Sequence, residues 1–243
     1  MRVDATNYQD ATKQVMRWAA AGDSRYVCIA NVHMTMEAFD RDRFRRIVNR
    51  ADLVTPDGMP LVLTLRLLGI KRQTRVYGPT LTLHVCKAAA QQAIPVGLYG
   101  GNRETVEKLV PNLKTRFPEL QIVYAYSPPF RPLTAEEDAA VVTAILASQA
   151  KILFVGLGCP KQEHWMAEHL GRIKAVMIGV GAAFDFHAGT IRQAPDWIMR
   201  LSLEWLYRLL MEPERLWRRY LYNNPRYVFL VGSQLLRLRK FDE

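Results

Sequence analysis

At 243 residues, 49% of them hydrophobic and 23% charged, the chain is sized for one domain, or one domain with an appendage, around a sizeable core. Residues 1–10 are polar and lack the apolar core of a signal peptide, and no apolar stretch approaches the roughly 20 residues that span a bilayer. The formal charge of +10 favours an anionic partner: a nucleotide, a nucleic acid or an acidic membrane surface.

Residues 11–21 read as a helix stopped by Gly22, and residues 26–30 as a short apolar strand ending at Asn31. Residues 34–50 read as one helix, with Phe39, Phe44, Ile47 and Val48 inward and Arg41, Arg43, Arg45, Arg46 and Arg50 on a solvated face. Residues 52–55 form a second strand running into Pro56-Asp57-Gly58-Met59-Pro60. This is a tight turn at a strand's C-terminal end, where ligands bind in open α/β sheets. Asp57 there is either a turn former or helix cap, or a carboxylate held as a general base. Residues 95–99 and 121–124 are two further strands. Gly100-Gly101 closes the first of them, and Asn102 is placed to cap the helix after it. Thr134-Ala135-Glu136-Glu137 has the spacing of a capping box.

The chain pivots on residues 151–165, KILFVGLGCPKQEHW. Ile152 to Val155 is a continuous apolar run, as in a strand buried on both faces. Gly156 and Gly158 let the backbone turn and a ligand approach, Pro160 fits the first turn of a helix, and Lys161, Gln162, Glu163 and His164 follow. A strand, a glycine turn and a helix N-terminus are the parts of a phosphate or nucleotide site, although they also make a purely structural turn. The stretch is neither a Walker A loop nor GxGxxG, because Lys161 stands where the third glycine belongs. A sixth strand, residues 175–179, enters the small-residue loop that carries Asp185. Strands and helices therefore alternate from 26 to 181, which predicts a mostly parallel sheet with helices on both faces. Its strand ends can gather Asn31, Asp57, Gly156 to Glu163 and Asp185 into one site.

Beyond residue 192 the composition changes, dividing the chain into a core, 1–192, and a basic appendage, 193–243. Residues 197–210 read as an apolar helix with one polar stripe, Arg200, Glu204 and Arg208. So broad an apolar surface must be covered by the core, by a second copy of the chain or by lipid. A further helix, 214–222, has Leu216, Trp217, Tyr220 and Leu221 on one side and Arg215, Arg218 and Arg219 on or beside the other. Another apolar run, 227–231, leads towards Arg237, Arg239 and Lys240. Residues 192–241 hold ten Lys or Arg against four Asp or Glu, a net +6, and basic amphipathic helices with tryptophan suit a membrane surface. The three cysteines, Cys28, Cys86 and Cys159, form no CxxC pair, so a reduced cytosol is expected and a zinc site is not. Of the five histidines, only His164 and His169 are close in sequence. Their spacing puts them on different helix faces, as surface or capping residues.

The sequence resembles the WecG/TagA/CpsF family, glycosyltransferase family 26, over nearly its whole length. The residues that carry the resemblance are TPDGMP (55–60), VGLGCPKQE (155–163), GVGAAFD (179–185), Ala194-Pro195, and EWLYRL (204–209) leading into Glu212-Pro213. The resemblance implies a Rossmann-like three-layer α/β/α core with a C-terminal helical appendage that meets the membrane. It also implies an inverting hexosyl transfer, independent of metal or other cofactor, from a UDP-sugar to a polyprenyl-diphosphate-linked acceptor. By position it gives Asp57 as the catalytic base, Asn31 as the site asparagine, and Gln162 and Glu163 as the PKQE element. Arg75 matches the arginine before the Gly78 turn, and Arg215, Arg218 and Arg219 match as arginines of the appendage. Gly156, Gly158 and Asp185 stand in the matching glycine and aspartate motifs. Ile29 and Thr80 depart from the family's common threonine and aspartate, which leaves N-acetylmannosamine, glucose or a uronic acid open as the donor sugar. The expected setting is cell-surface polysaccharide synthesis, peripheral on the inner face of the cell membrane, in a protein that is either single or a homo-oligomer. Two other classes are less well supported. A nucleotide-binding oxidoreductase would carry GxGxxG after the first strand, where Ala30-Asn31-Val32-His33 stands. A nucleic-acid binder would interleave basic residues with exposed aromatics along a groove, whereas here most aromatics of the appendage sit on apolar helix faces, so no nucleic-acid partner is expected.

Overall fold

Six short apolar segments each become a strand of one sheet in a computed structural model of the protein, described for residues 1–236 and 238 and without the side chains of Asp196, Arg200 and Arg215. The strands are β1 (Arg25–Ala30), β2 (Leu53–Pro56), β3 (Val96–Gly100), β4 (Ile122–Tyr126), β5 (Ile152–Gly156) and β6 (Val176–Gly179). All neighbours run parallel, in the order β2-β1-β6-β5-β3-β4. Val27, Ile29, Leu98, Phe154 and Ile178 face one side, while Tyr26, Cys28, Tyr99, Leu153, Val155 and Met177 face the other. Both sides are covered, which is why these strands are apolar at nearly every position. Only the edge strand β4 is half exposed.

The helices follow from the crossovers. The chain steps from β1 to β2 in one direction and from β3 to β4 in the other, and right-handed crossovers then place the connecting helices on opposite faces. One face carries α1 (Tyr8–Ala21), α5 (Gly78–Gln91), α6 (Arg103–Arg116) and α9 (Ala183–Ala188). The other carries α2 (Val32–Asp40), α3 (Asp42–Arg50), α7 (Ala135–Ala147) and α8 (Lys161–His169), with Leu61 of α4 (Met59–Leu67) at its margin. This is a three-layer α/β/α core. Gly22 ends α1 in the left-handed region, Asn7, Asn31 and Asn102 cap α1, α2 and α6, and Thr134 with Glu137 makes the expected capping box on α7.

Three helical segments differ from the sequence reading. The helix expected over 34–50 is two, α2 and α3, parted at Arg41, whose backbone is extended (φ −134°, ψ 102°). Asp42 supplies the acidic first turn that starts α3, and Asp40 pairs with Arg226. Phe44 and Val48 are buried as expected, but Phe39 is exposed. The helix expected over 197–210 is also two, α10 (Asp196–Arg200) and α11 (Glu204–Met211), parted where Ser202 takes φ +62°. The segments expected at 214–222 and 227–231 are instead one 23-residue helix, α12 (Pro213–Leu235), which continues through Pro225. The proline removes one backbone donor, and tertiary contacts on both sides of it hold the helix. Asn223 reaches His33 of α2, Arg226 pairs with Asp40, and the Tyr227 hydroxyl meets Thr64 of α4. Leu216 is buried, whereas Trp217 and Leu221, read as sharing one side of the helix with it, are exposed. Arg237, Arg239 and Lys240 lie outside the described residues. Among the described residues no helix is long and apolar enough to cross a membrane.

His169 also departs from expectation. It is buried, with Nε2 2.9 Å from Asp138 and Nδ1 2.7 Å from the Trp165 carbonyl, and it stacks on the Trp165 ring. It ties α7 to α8 rather than sitting at the surface. Cys28 and Cys86 are buried, Cys159 is partly so, and all three are free thiols.

Candidate active site

The carboxyl ends of β1 and β2 are joined by backbone bonds: the Asp57 N–H donates to the Ala30 carbonyl at 2.8 Å. Asn31 begins α2 one residue after β1, and its side-chain oxygen accepts from Met34 N–H at 3.1 Å. Gly58 packs so close that a Cβ there would lie 3.4 Å from the Asn31 Cα. The two polar residues at these strand ends are therefore fixed to each other by backbone geometry.

Arg75 comes in from the loop between α4 and α5, held by the Val76 N–H on the Pro56 carbonyl. Its Nε donates to the Asp57 carbonyl. Its Nη2 lies 3.3 Å from Asp57 Oδ1 and 2.7 Å from Glu204 Oε2 of α11. Its guanidinium lies over the Tyr77 ring, 4.1 Å from the centroid. Burial pushes the Asp57 carboxyl up to about 6, against the pull of Arg75 and with the push of Glu204. Burial works against the charge on Arg75, but Asp57 and Glu204 outweigh it and keep the guanidinium charged. Burial, and then the same two carboxylates, push the Tyr77 hydroxyl well above the ordinary tyrosine range.

These groups open into a cavity of about 220 Å³ between the sheet edge, α11 and α12. Asn31, Asp57 and Arg75 line its floor, and Arg208, Arg219 and Asn223 belong to its helical wall. His33 stands between them. Burial, with Arg219 nearby, lowers its ring to about 4, so it is neutral at pH 7. A base, fixed cations and a neutral imidazole around one cavity suit a proton-abstracting reaction on an anionic substrate.

Gly156, Gly158, Gln162, Glu163 and Asp185 do not line this cavity. They gather further along the same sheet edge, beyond β6. Gly156 has no room for a side chain, because a Cβ would sit 2.6 Å from the Phe184 ring. Gly158 turns at φ +76°, and its N–H donates to Gln162 Oε1 at 3.2 Å. Gln162 Nε2 in turn donates to Glu163 Oε1 at 2.7 Å. Glu163 is fully buried, which pushes its carboxyl up to about 7. Asp185 accepts from the Thr105 hydroxyl at 3.0 Å, at the start of α6. Pro160 stands immediately before α8 rather than within its first turn. His33 lies near both clusters: its ring nitrogen is 3.4 Å from the Asn223 amide, and the Cys159 backbone favours its charged form against the larger effect of burial.

Of the appendage arginines, Arg219 lines the cavity and Arg218 lies exposed, 5.2 Å over the Trp217 ring. The Arg215 side chain lies outside the described residues. The sequence reading missed Glu204, Arg208, His33 and Tyr77 as site residues. Glu204 and Arg208 were placed on a polar stripe, yet Glu204 is buried against Arg75 and Arg208 lines the cavity. The available signal was a lone carboxylate among the apolar residues that open α11. Among the described residues no group of three or more His, Cys, Asp or Glu is placed to hold a metal ion.

The pattern of the family described as Glycosyl transferase WecG/TagA/CpsF matches residues 1–241. An N-acetylglucosaminyldiphosphoundecaprenol N-acetyl-beta-D-mannosaminyltransferase of Bacillus spizizenii is 32% identical, over 85% of this chain and 78% of its own length. Proteins of the same description from Bacillus subtilis (strain 168) and Staphylococcus aureus (strain MW2) are 31% and 28% identical, over 79% and 88% of this chain and 72% and 82% of their own lengths. The family pattern thus spans both the sheet edge that carries Asp57 and the helices that close the cavity over it, and the chain belongs to the WecG/TagA/CpsF family of glycosyl transferases.

Proposed function

We propose that this glycosyltransferase moves a sugar from a UDP-sugar, with inversion, onto a saccharide linked to polyprenyl diphosphate, in cell-surface polysaccharide synthesis at the inner face of the membrane. The observation that carries the reading is Asp57: a largely buried carboxylate at the cavity floor, loosely paired with Arg75 and raised to about 6. It is ionised at neutral pH and remains a better base than an ordinary aspartate. In the proposed step the Asp57 carboxylate takes the proton of the acceptor hydroxyl. That oxygen bonds to the anomeric carbon, the bond from that carbon to the diphosphate breaks, and UDP leaves with the electron pair.

The leaving diphosphate gains charge, and Arg219 and Arg208 are the cavity's cations for it. We assign no metal to the step, because these groups supply the positive charge a metal would bring. The relatives' names favour N-acetylmannosamine as donor and an N-acetylglucosamine-bearing lipid diphosphate as acceptor, while Ile29 and Thr80 keep glucose and a uronic acid as arms of the test.

The test is a panel of UDP-sugars incubated with a short lipid-diphosphate-N-acetylglucosamine acceptor, with product mass read in the presence and absence of EDTA. One donor should add its sugar's mass and release UDP at the same rate in both. No product from any donor would overturn the reading. Activity lost in EDTA and restored by Mg²⁺ or Mn²⁺ would overturn its metal-independence.

A further inference from the structure

Arg75 is shared between two carboxylates, and unequally. Its Nη2 is 2.7 Å from Glu204 and 3.3 Å from Asp57, so the stronger charge-assisted bond goes to the residue that does no chemistry. Glu204 is 129 residues along the chain from Arg75 and arrives on α11. That helix is built against the usual pattern. Its carboxylate points in and is 6% exposed, while Trp205, Leu206 and Leu210 are 45%, 39% and 73% exposed. Burying an anion is unfavourable unless a cation offsets it, so apolar packing alone does not explain why α11 turns this face inward.

We propose that Glu204 is a positioning residue of the transfer reaction: it draws the Arg75 guanidinium towards α11 and leaves the Asp57 carboxylate loosely paired and free to take the acceptor's proton. A single cation clamped on Asp57 would hold the carboxylate ionised but make it a feeble base. A second carboxylate on the same cation restores its basicity without losing its orientation, because Arg75 Nε still holds the Asp57 carbonyl. The other titratable or charged groups around Asp57 are Tyr77 on the Arg75 loop, Tyr8 of α1, His33 of α2, Arg208 of α11, and Arg219, Tyr220 and Tyr227 of α12. Arg208 opposes Glu204, pulling Asp57 down. The proposal rests on Asp57 being the base.

The experiment is the pH profile of kcat/KM for transfer, measured on the full chain with one donor and acceptor, for the wild type, Glu204→Gln, Glu204→Asp and Asp57→Asn. Substrate ionisations are common to all and cancel. The wild type should show an acid limb near 6, where Asp57 loses its proton. Glu204→Gln removes the negative charge and frees Arg75 to close on Asp57. Both effects lower Asp57's pKa, so the limb should move to lower pH by roughly one unit. The plateau should fall about 10-fold, as the base weakens. Glu204→Asp keeps the charge on a shorter arm, and its limb should lie between the two.

A lowered plateau with an unmoved limb is what a merely structural contact gives, and it overturns the proposal. Should Glu204→Gln not fold, Glu204→Asp decides alone: a limb below wild type supports the proposal, and an unmoved limb overturns it. An Asp57→Asn protein with full activity overturns the base assignment itself. That outcome is distinct from an acid limb that is present, lost in Asp57→Asn and indifferent to Glu204.

Discussion

Asp57 is held between opposing forces: burial raises its carboxyl and Arg75 pulls it down, leaving it at about 6. Replacing it with asparagine keeps the volume and an oxygen for Arg75 but removes the proton-accepting group. Asp57→Asn should therefore lower turnover roughly 10²–10⁴-fold, with thermal unfolding and UDP affinity nearly unchanged. A folded variant that turns over at the wild-type rate would remove Asp57 from the mechanism. Arg75 came only from the family resemblance, whereas Asp57 and Asn31 were legible as polar residues at strand ends, where local sequence announces a special backbone. Glu204 and His33 were not. Glu204 meets Arg75 only when α11 folds onto the loop that carries it, and His33 meets Arg219 and Asn223 only when α12 brings them alongside. The approach of α12 to His33 leaves no mark in the local pattern, and Glu204 leaves only a lone carboxylate among the apolar residues that open α11.

At the scale of elements, the glycine turns show how one signal can carry two meanings. Gly156 and Gly158 both suggested a ligand-facing turn. The structure gives Gly156 to packing against Phe184 and leaves Gly158 open, with nothing within 4 Å of its Cβ position. Gly100 is more constrained than either. It sits at φ +118°, and a Cβ there would lie 2.6 Å from the Gly156 carbonyl carbon, a backbone atom that cannot yield without shifting β5. Gly100→Ala should cost roughly 2–4 kcal/mol, combining backbone strain with overpacking. Gly158→Ala, strained but unobstructed, should cost about 1 kcal/mol. Urea unfolding of the two variants checks the ordering, and equal losses would show that the β3–β5 contact is not what demands glycine at Gly100. All six strands were legible from short apolar runs, with ends off by a residue or two. The helix breaks at Arg41 and Ser202 were not, since an unbroken pattern of apolar spacing continues across both. Tertiary pairing of Asp40 with Arg226 and of Glu204 with Arg75 accompanies each break.

For the whole molecule the open question is what meets the outer face of the C-terminal helices. On α12, Trp217, Leu221 and Leu235 fall within one stripe, at i, i+4 and i+18, and all are exposed, with Phe229 and Arg218 beside it. The opposite side holds Leu216, Asn223 and Tyr227 against the core and the cavity. We expect the outer stripe to rest on the anionic membrane surface that carries the acceptor. Apolar burial would give a salt-resistant part of the binding, and each nearby Lys or Arg would add on the order of 1 kcal/mol that fades with salt. Deleting the appendage is a poor test, because Arg219 and Asn223 line the cavity and would go with it. The triple variant Trp217→Ser, Leu221→Ser, Phe229→Ser spares both. It should lose flotation with anionic liposomes and transfer poorly to the lipid acceptor, yet keep transfer to a water-soluble acceptor. Arg218→Glu alone should weaken flotation at low salt and matter little at high salt. If the wild type instead fails to float, is a dimer in solution, and becomes a monomer in the triple variant, the stripe is covered by a second copy of the chain. A triple variant that still floats and still glycosylates the lipid acceptor at full rate would end the assignment of membrane binding to Trp217, Leu221 and Phe229, and Val228, Leu235 and Leu236 are the exposed apolar residues to replace alongside them before the whole face is judged.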